Sequence, residues 1–175
     1  MKRLMLVAAM VLGFAGMSLA QSSANSGNIT VSVNLIQSLT ISPTGAQTLS
    51  MGDAAIGAPS PSVDPTGQNT TGTTATPLEF TISGEASHTL TVNYPTTVTL
   101  SNGTDNLTFV PSVSGTNQAG AQATSTVFTG GSSSGETLST SGAYYVYVGG
   151  TLSVATIPNQ STGSYSGTFT ISVNY

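Results

Sequence analysis

The chain has 175 residues with two cations, six carboxylates, one histidine, and neither cysteine nor tryptophan. Both cations, Lys2 and Arg3, stand at the N-terminus, so no positive side chain occurs from Leu4 onward. This composition excludes internal Lys/Arg salt bridges, cationic phosphate clamps, phosphate-driven binding to nucleic acid, attraction to anionic lipid headgroups and disulfide staples.

Lys2 and Arg3 precede an apolar run over 4–15 and then Ser18-Leu19-Ala20. That is the layout of a cleaved secretory signal peptide. The run is shorter than the roughly 20 apolar residues a membrane span needs. Polar Gln21-Ser22-Ser23 follows at once, and the lack of cysteine rules out a lipid anchor. The expected organisation is a signal peptide over 1–20 and one domain over 21–175, whose 155 residues suit a single core. That domain carries six acids and no cation, far below the roughly 25–35% charged surface of a well-solvated domain. Solubility then rests on hydroxyls and amides, and such a surface favours self-association.

Strand patterns dominate the rest of the chain, and no segment shows a sustained 3.6-residue apolar period. Ile29, Val31, Val33 and Leu35 alternate with Thr30, Ser32 and Asn34, which predicts a strand over 29–35. The alternation breaks at Ile36 and resumes at Leu39 and Ile41, the mark of a bulge or bend. The stretch 55–77 holds four prolines and reads as irregular, with a brief strand near Ser62 to Asp64. Strands at 78–83 and 89–94 flank Gly84-Glu85-Ala86-Ser87 and predict a hairpin. A second hairpin, 97–101 with 106–110, flanks Asn102-Gly103, the strongest short turn signal here. The stretches 112–123 and 130–142 read as long loops or weak edge strands. Around Gly149-Gly150, segments 144–148 and 151–155 form either a two-residue turn or one bent strand with a bulge. Tyr144-Tyr145-Val146-Tyr147-Val148 is apolar on both faces and belongs between two layers. Last, Tyr165, Gly167, Phe169, Ile171, Val173 and Tyr175 alternate with hydroxyls and Asn174 over eleven residues, the clearest strand of all. Many short strands with turns every 8–12 residues predict an all-β fold, an antiparallel Greek-key sandwich.

Three stretches carry a family resemblance: Phe80-Thr81-Ile82-Ser83-Gly84 with Leu90-Thr91-Val92-Asn93-Tyr94-Pro95, then Val148-Gly149-Gly150-Thr151-Leu152, then the run from Gly163 to Tyr175. In that order and spacing the chain resembles a secreted bacterial β-sandwich family catalogued as a domain of unknown function (four-four-zero-two). The resemblance implies a Greek-key, immunoglobulin-like or pilin-like sandwich. It also implies export through the periplasm to the surface or exterior of a Gram-negative cell, and it supplies no catalytic residues. More distantly the chain is similar to strand-donating pilin subunits. It departs from the chaperone-assembled ones in ending on its terminal aromatic, Tyr175, and in lacking a disulfide.

Candidate chemistry is sparse. Glu85, Ser87 and His88 offer an orienter, nucleophile and base, but neighbours on a strand point to opposite faces, so a loop histidine half in solvent explains them. Asp105 with Asn102 or Asn106 could hold calcium through oxygen ligands; an Asp in a hairpin loop accounts for the same residues. Six scattered acids show no spacing typical of a glycosidase pair. Asn28, Asn69, Asn102, Asn106 and Asn159 fall in glycosylation-type triplets, as chance provides in a chain rich in Asn, Ser and Thr. Tyr144, Tyr145, Tyr147 and Tyr165 could stack a sugar, yet alternating tyrosines usually pack in a core. No enzyme, cofactor or metal is expected.

Two functions remain. The first is a surface structural subunit, a pilus, fimbria or coat element, joining its neighbours by strand-edge pairing or strand donation. Its assembly strands are Ile29, Val31, Val33 and Leu35, with Tyr165, Phe169, Ile171, Val173 and Tyr175. Its partners are further copies or other surface subunits, with an export chaperone in the periplasm, no nucleic acid and no membrane span after cleavage. The bland alternative is that both strands close their own sandwich. The second function is a monomeric adhesin or glycan-binding module using loops 55–77 and 130–142.

Overall fold

The computed structural model describes residues 32–45 and 47–175. Strands β1 (Thr40–Thr44), β2 (Ser62–Val63), β3 (Leu78–Ser83), β4 (Thr89–Asn93) and β5 (Val98–Ser101) are followed by β6 (Asn106–Thr116). A 3-10 turn at Gln122–Thr124 precedes β7 (Thr126–Val127), β8 (Ser132–Thr137), β9 (Ala143–Leu152) and β10 (Ser172–Asn174). No α-helix occurs among the described residues, and none of their helices is long and apolar enough to cross a membrane. The larger sheet runs β1-β3-β9-β6-β5, with β2 added on β9 and β7 on β6; the smaller runs β10-β4-β8. Every pairing is antiparallel.

Period two dictates which side chains meet. Ile82 lies opposite Tyr144, Phe80 opposite Val146 and Leu78 opposite Val148, while Val113 faces Val148 from the other side. That single face of the larger sheet packs on Leu90 and Val92 of β4 and on Leu138, giving two sheets face to face over one core. A second cluster, Val98, Phe109 and Leu152, extends the same face toward β5. Glycine is required where this face is crowded. A Cβ at Gly115 would come within 2.5 Å of Phe128 and 2.6 Å of Tyr144.

The apolar Tyr144–Val148 run takes the centre of the larger sheet, as its two-sided pattern predicts. The Asn102-Gly103 hairpin forms between β5 and β6, with Asn102 Oδ1 accepting the amides of Thr104 and Asp105 and Gly103 at φ 90°. The brief strand at Ser62 is β2, and 132–137 is an edge strand.

Three expectations are corrected. The expected hairpin at 78–94 does not exist, because β3 and β4 lie in different sheets. Gly84 N–H bonds instead to Gly142 O, and Ser87, at φ 60°, donates to Ser139 O, so the chain steps across the core rather than folding back. Residues 112–116, read as loop or weak edge strand, instead complete the inner strand β6 beside β9; their serines face outward, and Ser114 is buried with a hydrogen bond from Ser125 Oγ at 2.7 Å. Of the two readings of Gly149-Gly150, the single strand is the one found: β9 runs through it to Leu152, with no register shift against β6. The expected strand over 29–35 has no ladder in its described part, residues 32–35, while Ile29 and Val31 lie outside the described residues.

The final segment keeps its burial alternation without a continuous ladder. Tyr165, Phe169, Ile171 and Val173 are half-buried, the residues between them are exposed, and only Ser172–Asn174 is strand. Ser166 exchanges both backbone bonds with Ser101 of β5, whereas β10 pairs with β4, so this segment passes from one sheet to the other. Tyr175 fixes its end: the hydroxyl donates to Gln37 O at 2.7 Å and accepts the Glu85 N–H at 2.6 Å. Tyr175→Phe removes both bonds and should lower stability by about 1–2 kcal/mol. Urea unfolding measures this, and an unchanged midpoint would show that the hydroxyl pins nothing.

Candidate functional site

Two features of the fold can engage a partner: a cleft and the sheet edges. The cleft, about 880 Å³, is lined by residues of β3, β5, β6 and β9 in the larger sheet and by none of β4, β8 or β10. Leu78, Phe80, Leu100 and Phe109 form its floor; the segment around Leu49 and Met51 and the strap around Ile157–Phe169 form its walls. Its size lies in the range of sites for small ligands or short peptide segments. Nothing in the sequence reading pointed to it, because its walls come from segments more than a hundred residues apart.

The strap is tied down by side chains. Asp105 Oδ2 accepts the Ser161 amide at 2.8 Å and its hydroxyl at 2.5 Å, while Asn102 Nδ2 donates to Ser161 Oγ at 3.0 Å. The two Ser161 bonds hold the Asp105 carboxyl below its usual range. These same residues were the calcium candidates. The Asp105 oxygen faces Ser161 and Asn102 Oδ1 is taken by backbone amides, so the structure brings them together as a clasp. Among the described residues no group of three or more His, Cys, Asp or Glu side chains gathers in metal-binding geometry.

Asp64 organises the 55–77 loop. Its carboxylate accepts the amide and hydroxyl of Thr66 and the amide and side chain of Asn69. Burial pushes the carboxyl up, but these four bonds outweigh it and hold it below the ordinary 3.8. A carboxylate favoured by the fold contributes above its unfolded value and is lost as pH falls through the lowered folded one. Exchange protection of the Thr66 and Asn69 amides should therefore persist to below pH 3.8 and vanish at neutral pH in Asp64→Ala. Equal protection in the variant at pH 7 would refute the role of Asp64.

The remaining candidates stand apart. His88 meets Tyr175 edge to face, ring centroids 5.8 Å apart, and Glu85 Oε2 accepts the Gln37 amide, so Glu85, Ser87 and His88 form no catalytic hydrogen-bond chain among the described residues. Tyr144 points into the core and donates to Glu136; burial first, then that bond and the Glu136 charge, push its phenol pKa up. Tyr147 is buried on the opposite face of the sheet and Tyr165 sits on the strap, so the four tyrosines share no platform.

Of the assembly residues, Tyr165, Phe169, Ile171, Val173 and Tyr175 contact their own fold. Val33 and Leu35 are 82% and 87% exposed.

A family model described as Domain of unknown function (DUF4402) matches residues 18–175. No curated protein and no solved structure matches the chain.

Proposed function

We propose that this chain, which belongs to the Domain of unknown function (DUF4402) family, is a structural subunit of a secreted surface assembly. Its neighbours join by strand-edge pairing or strand donation through the alternating segment 29–35. One observation carries the reading: Val33 and Leu35 stand almost fully in solvent at the described end of an apolar alternation. A period-two apolar row is the pattern of a strand with one buried face, and a strand is stable only beside another. Its natural complement is a sheet edge on a further copy. The cation-free surface supports this, since lysine is the usual guard against edge pairing. On this reading the two sheets form a Greek-key sandwich of immunoglobulin or pilin type. The signal peptide over 1–20 directs export through the periplasm of a Gram-negative cell, where a chaperone covers the unpaired segment.

The test is to express the full chain in an exporting host and examine the secreted product by light scattering and negative stain, beside a form lacking residues 21–35. Assembly that depends on 21–35 supports the reading. A strictly monomeric product, altered by the deletion only in folding, removes it.

A second reading, a glycan-binding adhesin, is favoured by the stiffening of the 55–77 loop around Asp64, since a preorganised loop is suited to recognition. Glycan-array binding lost on substitution in that loop would select it.

A further inference from the structure

We infer that the outer edge of β10 is the surface to which segment 29–35 of a second copy adds as a strand. This rests on the assembly reading above and goes beyond it by choosing among the edges.

The main strand paths end on four edges, β1 and β5 on the larger sheet and β8 and β10 on the smaller; β2 and β7, off the larger path, are two residues each and shorter than any of these. Three of the four edges are guarded, each by a different device. On β1, Pro43 removes a backbone donor, the usual way proline blunts an edge strand. On β5, Ser101 exchanges both backbone bonds with Ser166, at 2.9 and 3.1 Å. The next residue, Gly167, lies so close to Thr99 that an added Cβ would collide with its carbonyl oxygen. The edge of β5 is therefore covered by the chain itself.

The β8 edge is guarded twice over. Gly135, at φ 79°, sits where the register with β4 shifts, a bulge that twists an edge away from a straight partner. Glu136 beside it turns inward, its carboxylate taken by Tyr144 and Ser133, and an inward charge on an edge strand disfavours further pairing. Asn117 Nδ2 also occupies the Thr137 carbonyl at 3.2 Å.

None of these devices appears on β10. Its three residues include no proline, glycine or charge, and no register shift interrupts its pairing with β4. Among the described residues no backbone hydrogen bond beyond that pairing reaches Ser172–Asn174.

The core leaves room for a further strand on that side. Ile82, Val113, Val146, Leu90 and Val92 are fully buried, whereas the residues that the β1 and β10 segments contribute, Leu39, Ile41, Ile171 and Val173, are only partly so. Leu78, Phe80, Tyr94 and Phe169 are partly buried as well, so the β10 side is one of the places where the cover on the main core is incomplete. The missing cover is an extended segment with apolar side chains at every second position. Ile29, Val31, Val33 and Leu35 supply that row, and Thr30, Ser32 and Asn34 supply the solvent-facing one.

Because the chain has no cysteine, engineered pairs report contact cleanly. The full chain is exported as single variants Ser32→Cys, Asn34→Cys and Ser172→Cys, with Ser42→Cys, Thr99→Cys and Ser134→Cys marking the other three edges. Each N-terminal variant is mixed with each edge variant and oxidised. A disulfide requires Cα atoms about 4.4–6.8 Å apart, which only adjacent strands satisfy. The expected result is a species of twice the chain mass with Ser172→Cys alone. Equal or greater cross-linking at Ser42→Cys, Thr99→Cys or Ser134→Cys overturns the inference. If light scattering still shows assembly in that case, the structural-subunit reading survives; if the untreated chain is monomeric, both fall. Circular dichroism of each variant confirms that the fold is kept.

Discussion

Replacing Val33 and Leu35 together by asparagine should abolish assembly and leave the stability of the folded subunit unchanged. The two effects separate because both side chains are exposed in the single chain, at 82% and 87%. Exposed substitutions away from special features usually change stability by less than about 0.5 kcal/mol. On burial against a neighbour, each aliphatic side chain contributes roughly 1.5–3 kcal/mol. Losing two of them weakens each contact by roughly 3–6 kcal/mol, or about two to four orders of magnitude in the association constant. Light scattering over a concentration series reads the first effect and urea denaturation the second. Assembly of the double variant at the same concentration as the parent would sink the strand-donation reading. Loss of stability equal to the loss of assembly would show that the segment belongs to the subunit's own fold.

The largest expected effect on stability is at Gly150. The residue lies in the central strand at φ 147°, backbone that only glycine occupies comfortably, at a cost of about 1–3 kcal/mol for other residues. A Cβ there would also fall 2.5 Å from the Val110 carbonyl oxygen and against the Phe109 ring. The carbonyl belongs to the paired strand and cannot rotate away, so overpacking adds about 1–3 kcal/mol. Gly150→Ala should therefore destabilise by roughly 2–6 kcal/mol, enough to unfold a marginal domain. Gly103→Ala is the control, since Gly103 has φ 90° with open space around it and meets the backbone penalty alone. Equal losses in the two variants would refute the packing argument.

Gly149-Gly150 also shows why the sequence left two possibilities standing. A glycine pair between apolar runs is the signature of a tight turn and of a strand pressed against other backbone alike. What decides between them is Val63 and Pro65, which lie against Gly149 yet are more than eighty residues away in sequence. The same holds for Gly84-Glu85-Ala86-Ser87, whose composition suits a hairpin. Its path is set by Gly142, Ser139 and Tyr175, partners no local window contains. By contrast the Asn102-Gly103 hairpin was legible because the bonds that shape its turn, among Ser101 to Asp105, are local. The inner-strand place of Ser112 to Thr116, read as loop or weak edge strand, was hidden for another reason. Hydroxyl side chains normally signal solvent, but Ser114 is buried on the outer face beneath Ser125. The apolar alternation at 165–175 predicted which side chains turn inward and not which sheet they serve, because one segment serves both.

The central position of β9 has a kinetic consequence. It is the common partner of β2, β3 and β6, yet it comes late in the chain, at Ala143–Leu152. Until those residues emerge, β2, β3 and β6 lack their common partner, and the pairs β1–β3 and β5–β6 cannot join into one sheet. Contacts this distant in sequence make folding slow, because long loops must close before any ladder repays them. A chain built this way remains extended for much of its synthesis. On the proposed export route, that lag would keep the chain threadable through a narrow pore before its core closes.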